Sequence, residues 1–475
     1  MLVLTAVLLA GATAHGASDP ANDLPMLGDT SSGIVSPELE ARLGQDFLRQ
    51  VRANLPTTSD PLMVYWTELL LLDLAVASEL RQPDLSMVLI DSSAINAFAA
   101  PGGIVGINLG TFAEAPSVHE FSAILAHELA HLSQRHFARG IEEQRKTTLP
   151  MLAAMLASAA LMATVGSDVG LATLAGSQAV AQQNQLRYSR AREREADRVG
   201  IRTLARADMD PQGMALMFAR MQEVSRFQRR PPEFLLTHPV TESRIADARE
   251  QASEYPRRTY EDSREFELMR ARVRVHLAST PQEAAQAFRA QMQEGRTRHP
   301  DVVRYGLALA LLEQGRVDEA EATLAPLLGP DQSLAFTLAE VDIALARNDS
   351  ATAISRLEQE LRFSSENLPL AAAYAKALSQ AHRYEEAQKV LERLSVRRPN
   401  DAQVWYELAE TAGLAGDIVA VHRARAEYFQ LHGNLQNALQ HLSYALQLVE
   451  NDYPMTARLN QRVQDIRELR QRLNS

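Results

Sequence analysis

The sequence predicts a mainly α chain (α+β class) in two folded parts. A helical domain with a small antiparallel sheet comes first, and an α-solenoid of stacked helical pairs follows. Three observations predict this. Apolar residues recur at helical spacing over most of residues 37–255, interrupted at 86–110 by short extended runs. One of those helices, over 117–135, carries two histidines and a glutamate at fixed spacing. From about residue 280 the helical pattern returns in pairs with a period near 34. A chain of 475 residues also exceeds one ordinary core and suits two or three domains.

Composition narrows the chemistry. The net charge of -11 argues against a non-specific binder of nucleic-acid backbones. The chain has no cysteine, which excludes disulfides, thiolate metal sites, a cysteine nucleophile and a lipid-modified cysteine. Any metal must therefore be held by His, Asp or Glu.

Residues 1–17 read as a signal peptide for export: an apolar run over 2–10, then small residues up to Ala14 and Ala17, although no Lys or Arg precedes the run. Residues 18–36 form a polar, Pro- and Gly-containing arm. Two helices follow, over 38–53 and 62–80. Residues 86–91 form a strand candidate, and 94–110 read as two extended runs around a Pro101-Gly102-Gly103 turn. An edge strand there offers its main chain to an extended peptide. Residues 149–181 are apolar all round in two halves, each shorter than the roughly 20 residues that span a bilayer. They read as a helical hairpin whose outer side is open to peripheral membrane contact or to an unfolded chain. A charged helix covers 186–205. Asp210-Pro211 reads as the N-cap and first residue of the next helix. Pro231-Pro232 ends that one, and helix resumes over 242–249. These elements define a domain over 18–255, with the repeat domain over 256–475.

The helix at 117–135 carries His127-Glu128-Leu129-Ala130-His131, the H-E-x-x-H pattern of zinc proteases, and makes the first domain zincin-like. Residues four apart share a helix face, so His127 and His131 can offer two imidazoles to one Zn²⁺ per chain. Glu128 lies beside the first ligand, where it can take a proton from a water. Pro116, Ser117 and Glu120 read as a capping box, and His119-Glu120 as cap and solvated face. The pattern needs a third ligand. His136, five residues beyond His131, is turned off the face. Glu193 on the later charged helix fits, and Asp197, one turn on, is placed to hydrogen-bond a ligand imidazole. Glu195 is the competitor, but it does not share a face with Asp197.

In the second part, Gly315-Arg-Val-Asp-Glu-Ala320, Asn348-Asp-Ser-Ala-Thr-Ala353 and His382-Arg-Tyr-Glu-Glu-Ala387 align at spacings of 33 and 34, with Gly433-Asn-Leu-Gln-Asn-Ala438 as a degenerate further unit. This indicates tetratricopeptide-like repeats, which stack into a superhelix with a concave groove for a protein partner.

The Asn96-Ala-Phe-Ala stretch with its Pro-Gly-Gly turn, the H-E-x-x-H helix, Tyr188-Ser189-Arg190 leading to Glu193-Arg-Glu-Ala-Asp197, and Thr237-His238-Pro239 with Arg244 resemble the HtpX-type zinc endopeptidases. With the repeats and the export signal, residues 35–460 resemble the periplasmic β-barrel assembly-enhancing branch of those enzymes. The resemblance implies a periplasmic zinc peptidase that is also a chaperone. Its implied partners are unfolded or stalled outer-membrane β-barrel proteins and the barrel-assembly machinery. It implies His127, His131 and Glu193 as metal ligands, Glu128 as catalytic base, and Asp197 as an active-site acid or ligand orienter. His238 corresponds to a histidine that caps the metal and keeps the enzyme latent. Arg244 or a protonated His238 is available to an oxyanion. Two readings stand: an active endopeptidase whose repeats select substrate, or mainly a chaperone or adaptor with a latent zinc site.

Overall fold

The computed structural model describes residues 35–81, 84–143, 190–227, 232–295, 297–330, 332–449 and 452–474. The signal at 1–17, nearly all of the arm, and the apolar segment 149–181 lie outside the described residues. Among those described, no helix is long and apolar enough to cross a membrane.

Two helices open the chain, α1 (Pro37–Asn54) and α2 (Pro61–Ala77). Each starts on a side-chain cap, Ser36 or Asp60, followed by proline at the first helical position. Three strands follow: β1 (Ser86–Ile90), β2 (Ala97–Ala100) and β3 (Ile104–Asn108), in sheet order β1-β3-β2. β2 and β3 form the expected antiparallel hairpin, turned by Gly102 and Gly103 at φ 72° and 77°, where a side chain is strained. β1 differs from the all-antiparallel expectation and joins β3 in parallel. β3 takes the centre, buried at every position. β2 is left at the edge, packed on the helix that carries the histidines.

After a short α3 (Leu109–Glu114) comes that helix, α4 (Val118–Ser133). The Ser117 side chain accepts from Glu120 N at 3.2 Å, which is half of the expected capping box. Glu120 itself is buried and paired with Arg220 at 3.2 Å, so it is not on a solvated face. Arg135, at φ 49°, then redirects the chain into α5 (His136–Glu143). The charged helix is α6 (Arg190–Arg206) and lies along α4. Gly200 permits the close approach, since a Cβ there would sit 3.2 Å from His127 N. α7 (Gly213–Phe227) begins two residues after Pro211 and not at it, because Asp210 accepts from Gln212 N at 2.9 Å in a turn of its own. The one-turn α8 (Phe234–Thr237) and α9 (Glu242–Ser253) complete the first part.

α10 (Arg264–His276) links the two parts by packing Phe266 against Phe121 and Trp66, with ring centroids 5.4 and 5.8 Å apart. One apolar cluster runs from Leu62 through this aromatic group into the repeats as far as Ala424. α11 (Pro281–Glu294) then leads into an α-solenoid of five helical pairs, the first opened by α12 (Pro300–Glu313) and the last formed by α20 (Leu435–Leu448) and α21 (Tyr453–Asn474). The turns at Gly315, Asn348, His382 and Gly416 all adopt positive φ. Gly416 holds the fourth in-phase place, 34 residues after His382. Gly433 is half a period out of phase and turns between two successive pairs instead. The repeats bend back onto the first part, where Arg398 donates to both Glu68 oxygens on α2 at 2.9 and 2.6 Å.

Candidate metal centre

α4 presents His127 and His131 on one face, and α6 lays Glu193 and Asp197 against them. His131 Nε2 lies 3.1 Å from His127 Nε2. Glu193 Oε2 is 3.6 Å from His127 Nε2, and Glu193 Oε1 is 3.5 Å from His131 Nε2. His238, on the bend after α8, brings Nδ1 to 3.3 Å from His127 Nε2 and 3.1 Å from Glu193 Oε1. All four residues are buried, and one donor atom from each falls within 4.8 Å of the others. Metal–ligand bonds of about 2.0–2.1 Å give a tetrahedron with edges near 3.3 Å. The contacts above span 3.1–3.6 Å with either Glu193 oxygen counted, so three imidazoles and a carboxylate are gathered closely enough to offer donors to one such ion.

The charges agree. Burial disfavours a proton on His127, but Asp197 and Glu193 outweigh it and raise its pKa to about 9. Burial would raise Glu193, yet His238 and His127 hold its carboxyl well below the usual range. Burial, and then the charge on His127, drive His131 well below an ordinary histidine. The buried carboxylates of Glu193 and Asp197 thus favour positive charge in this pocket.

Around the cluster, His127 Nδ1 lies 3.0 Å from Asp197 Oδ1, a close contact without the alignment of a full hydrogen bond. Arg244 is buried, and all three of its nitrogens are engaged. Nε and Nη2 donate to Asp197 at 2.8 and 2.7 Å. Nη1 lies 2.9 Å from Glu193 Oε2 and donates to Pro239 O at 2.9 Å. This differs from the oxyanion role expected of Arg244, because its donors are already spent on carboxylates and a carbonyl. Glu128 is buried one residue beyond His127, with Oε1 unpaired and 3.5 Å from His238 Nε2. Burial raises its pKa against the opposing pull of His238 and His127. The Ala99 backbone of β2 bears on the same carboxylate, which ties the edge strand to the site.

The sequence model of Peptidase family M48 matches residues 65–252, and a tetratricopeptide-repeat model matches 277–339 and 344–410. The chain is 31% identical over 472 residues to the β-barrel assembly-enhancing protease of Escherichia coli K12, covering 99% of this chain and 96% of that protein. It is 32% identical over 473 residues to the protein of that name from Yersinia pestis, covering 99% and 97%. The chain belongs to the β-barrel assembly-enhancing protease family. It is a metalloendopeptidase with a tetratricopeptide-repeat solenoid, and every candidate site residue falls inside the M48 match. It is also 29% identical to the human mitochondrial metalloendopeptidase OMA1 over 160 residues, about a third of each chain.

Within this family fold, the structure gathers His127, Glu128, His131, Glu193, Asp197, His238 and Arg244 into one pocket. Sequence reasoning set His136 aside and weighed Glu195 only as a rival ligand. Both are attached to the site from behind. His136 Nδ1 lies 2.9 Å from His131 Nδ1, and its Nε2 lies 3.1 Å from Glu195 Oε2. The signal that hides them is the break at Arg135, which carries no glycine. It also missed Phe218 and Phe234, whose buried rings stand 6.1 and 5.9 Å from that of His127 and pack beside it.

Proposed function

We propose that this chain is a zinc-dependent endopeptidase and chaperone of the periplasm. It degrades or assists misassembled outer-membrane β-barrel proteins beside the barrel-assembly machinery. The observation that carries the reading is the convergence of His127, His131 and Glu193 next to a buried glutamate with a bare oxygen. The names of the relatives, and a solenoid with a groove for protein, support the substrate class. Residues 149–181 are the segment assigned to peripheral membrane contact.

His127, His131 and Glu193 would hold the ion, and the donor set of two imidazoles and one carboxylate suits Zn²⁺. Bound there, zinc supplies Lewis acidity that makes a water acidic near neutral pH and polarises a carbonyl. Glu128 takes the proton of the attacking water and returns it to the leaving amine. Its raised pKa makes it a better base than an exposed carboxylate. Asp197 and Arg244 orient His127 and Glu193. The β2 edge lays an extended substrate across the site through main-chain hydrogen bonds. His238 stands where the substrate must come, so it withdraws before catalysis. A mainly non-proteolytic chaperone or adaptor with a latent site is the second reading, favoured by His238 at the fourth corner.

The test uses a urea-unfolded outer-membrane barrel precursor, diluted into zinc-loaded full-length protein. Wild type should release peptide fragments, and Glu128→Gln should be slower by about 10²–10⁴-fold. Equal suppression of precursor aggregation by both, with no fragments from either, would favour the second reading.

A further inference from the structure

We propose that His136 and Glu195 form a positioning relay that sets the tautomer of His131 and so aims its lone pair at the metal. The proposal rests on His131 being a metal ligand.

Glu195 ionised is an acceptor only, so at 3.1 Å His136 Nε2 must be the donor. A neutral imidazole with a proton on Nε2 has a bare Nδ1. That bare nitrogen lies 2.9 Å from His131 Nδ1, which must then donate to it. His131 Nε2 is left without a proton. This is the nitrogen that faces the cluster, 3.1 Å from His127 Nε2 and 3.5 Å from Glu193 Oε1. A metal needs that lone pair. With no partner on Nδ1, the other tautomer would turn an N–H toward the ion.

The surroundings fit a built relay. His136 is fully buried, and its ring meets that of His131 at 74° with centroids 4.8 Å apart. Glu195 is anchored from its outer side by Arg139 Nη1 at 3.0 Å. The turn at Arg135 makes the arrangement possible, because a straight helix would carry His136 off this face. His127 and His131 are thus backed differently, one by a carboxylate directly and the other through a second imidazole.

Two substitutions separate positioning from packing. His136→Phe keeps the ring shape and removes the acceptor. His136→Asn loses the ring but keeps an oxygen near the Nδ1 position. Zinc affinity of the full-length protein is measured by competition with a chromophoric chelator, and folding by circular dichroism. We expect His136→Phe to weaken zinc about 10–100-fold, with His136→Asn within about threefold of wild type. A packing role gives the opposite order and would overturn the relay. Glu195 is partly exposed, so its variants keep the test open if His136→Phe does not fold. Glu195→Gln can still accept from His136 and should bind like wild type. Glu195→Ala should bind more weakly, and wild-type affinity there would also overturn the relay. His131→Ala distinguishes the two levels. If it keeps its zinc, the ligand reading fails. If it loses zinc while the His136 and Glu195 variants bind normally, the relay alone fails.

Discussion

Arg244 grips Asp197 through two parallel hydrogen bonds, 2.8 and 2.7 Å long, and reaches Glu193 with its third nitrogen at 2.9 Å. One guanidinium from α9 thus holds both buried carboxylates of α6. Removing it leaves two buried charges with less compensation. Arg244→Leu should destabilise the fold by about 3–5 kcal/mol, read by denaturant unfolding. Arg244→Lys cannot reproduce the fork and should recover only part of the loss. Wild-type stability in Arg244→Leu would show that the pair is not a support.

His238 contacts His127, Glu193 and Glu128 together. Substituting it should open the fourth corner. His238→Ala should cleave a generic unfolded protein such as casein several-fold faster than wild type. The visible spectrum of the cobalt-substituted protein should lose one nitrogen ligand. An unchanged spectrum with unchanged turnover would leave His238 as an ordinary loop residue.

Phe266 belongs to the aromatic group with Trp66, Phe112 and Phe121. A fragment ending at residue 255 would expose that group, whereas one ending at 279 keeps it covered. The longer fragment should melt cooperatively and the shorter one should aggregate. Phe266→Ala in the full chain should cost about 3–5 kcal/mol.

Burial pushes the Glu233 carboxyl up to about 7, against a hydrogen bond from Asn108. A folded-state pKa above the unfolded value means that the folded chain binds more protons between pH 4.5 and 7. This residue therefore lowers stability as pH rises through that window. Glu233→Gln should match wild type near pH 4.5 and exceed it at pH 8, by about 1 kcal/mol once solvent screening is allowed for. Parallel stability curves across the window would contradict this.

Much of this was legible in the sequence, for local reasons. His127 and His131 are one helical turn apart, and so are Glu193 and Asp197, so the shared faces follow from helix geometry alone. The repeat period likewise survives as turns at Gly315, Asn348 and His382. What was not legible depended on contacts distant in sequence. The parallel pairing of β1 with β3 follows from the order of three strands, which their composition does not set. Arg244 read as a free cation because only the fold shows Asp197 and Glu193 claiming it. His136 read as turned away because a non-glycine residue, Arg135, makes the turn that brings it back. Phe266 read as part of the repeats, since its packing against Phe121 spans 145 residues of chain.

The most direct measurement is zinc content paired with turnover on three full-length proteins: wild type, Glu128→Gln and Glu193→Ala. Elemental analysis should give about one zinc per chain in the first two and none in the third. Cleavage of the unfolded precursor should be seen in wild type alone, stop on chelation, and return with zinc. Zinc retained by Glu193→Ala, or wild-type cleavage by Glu128→Gln, would contradict the account.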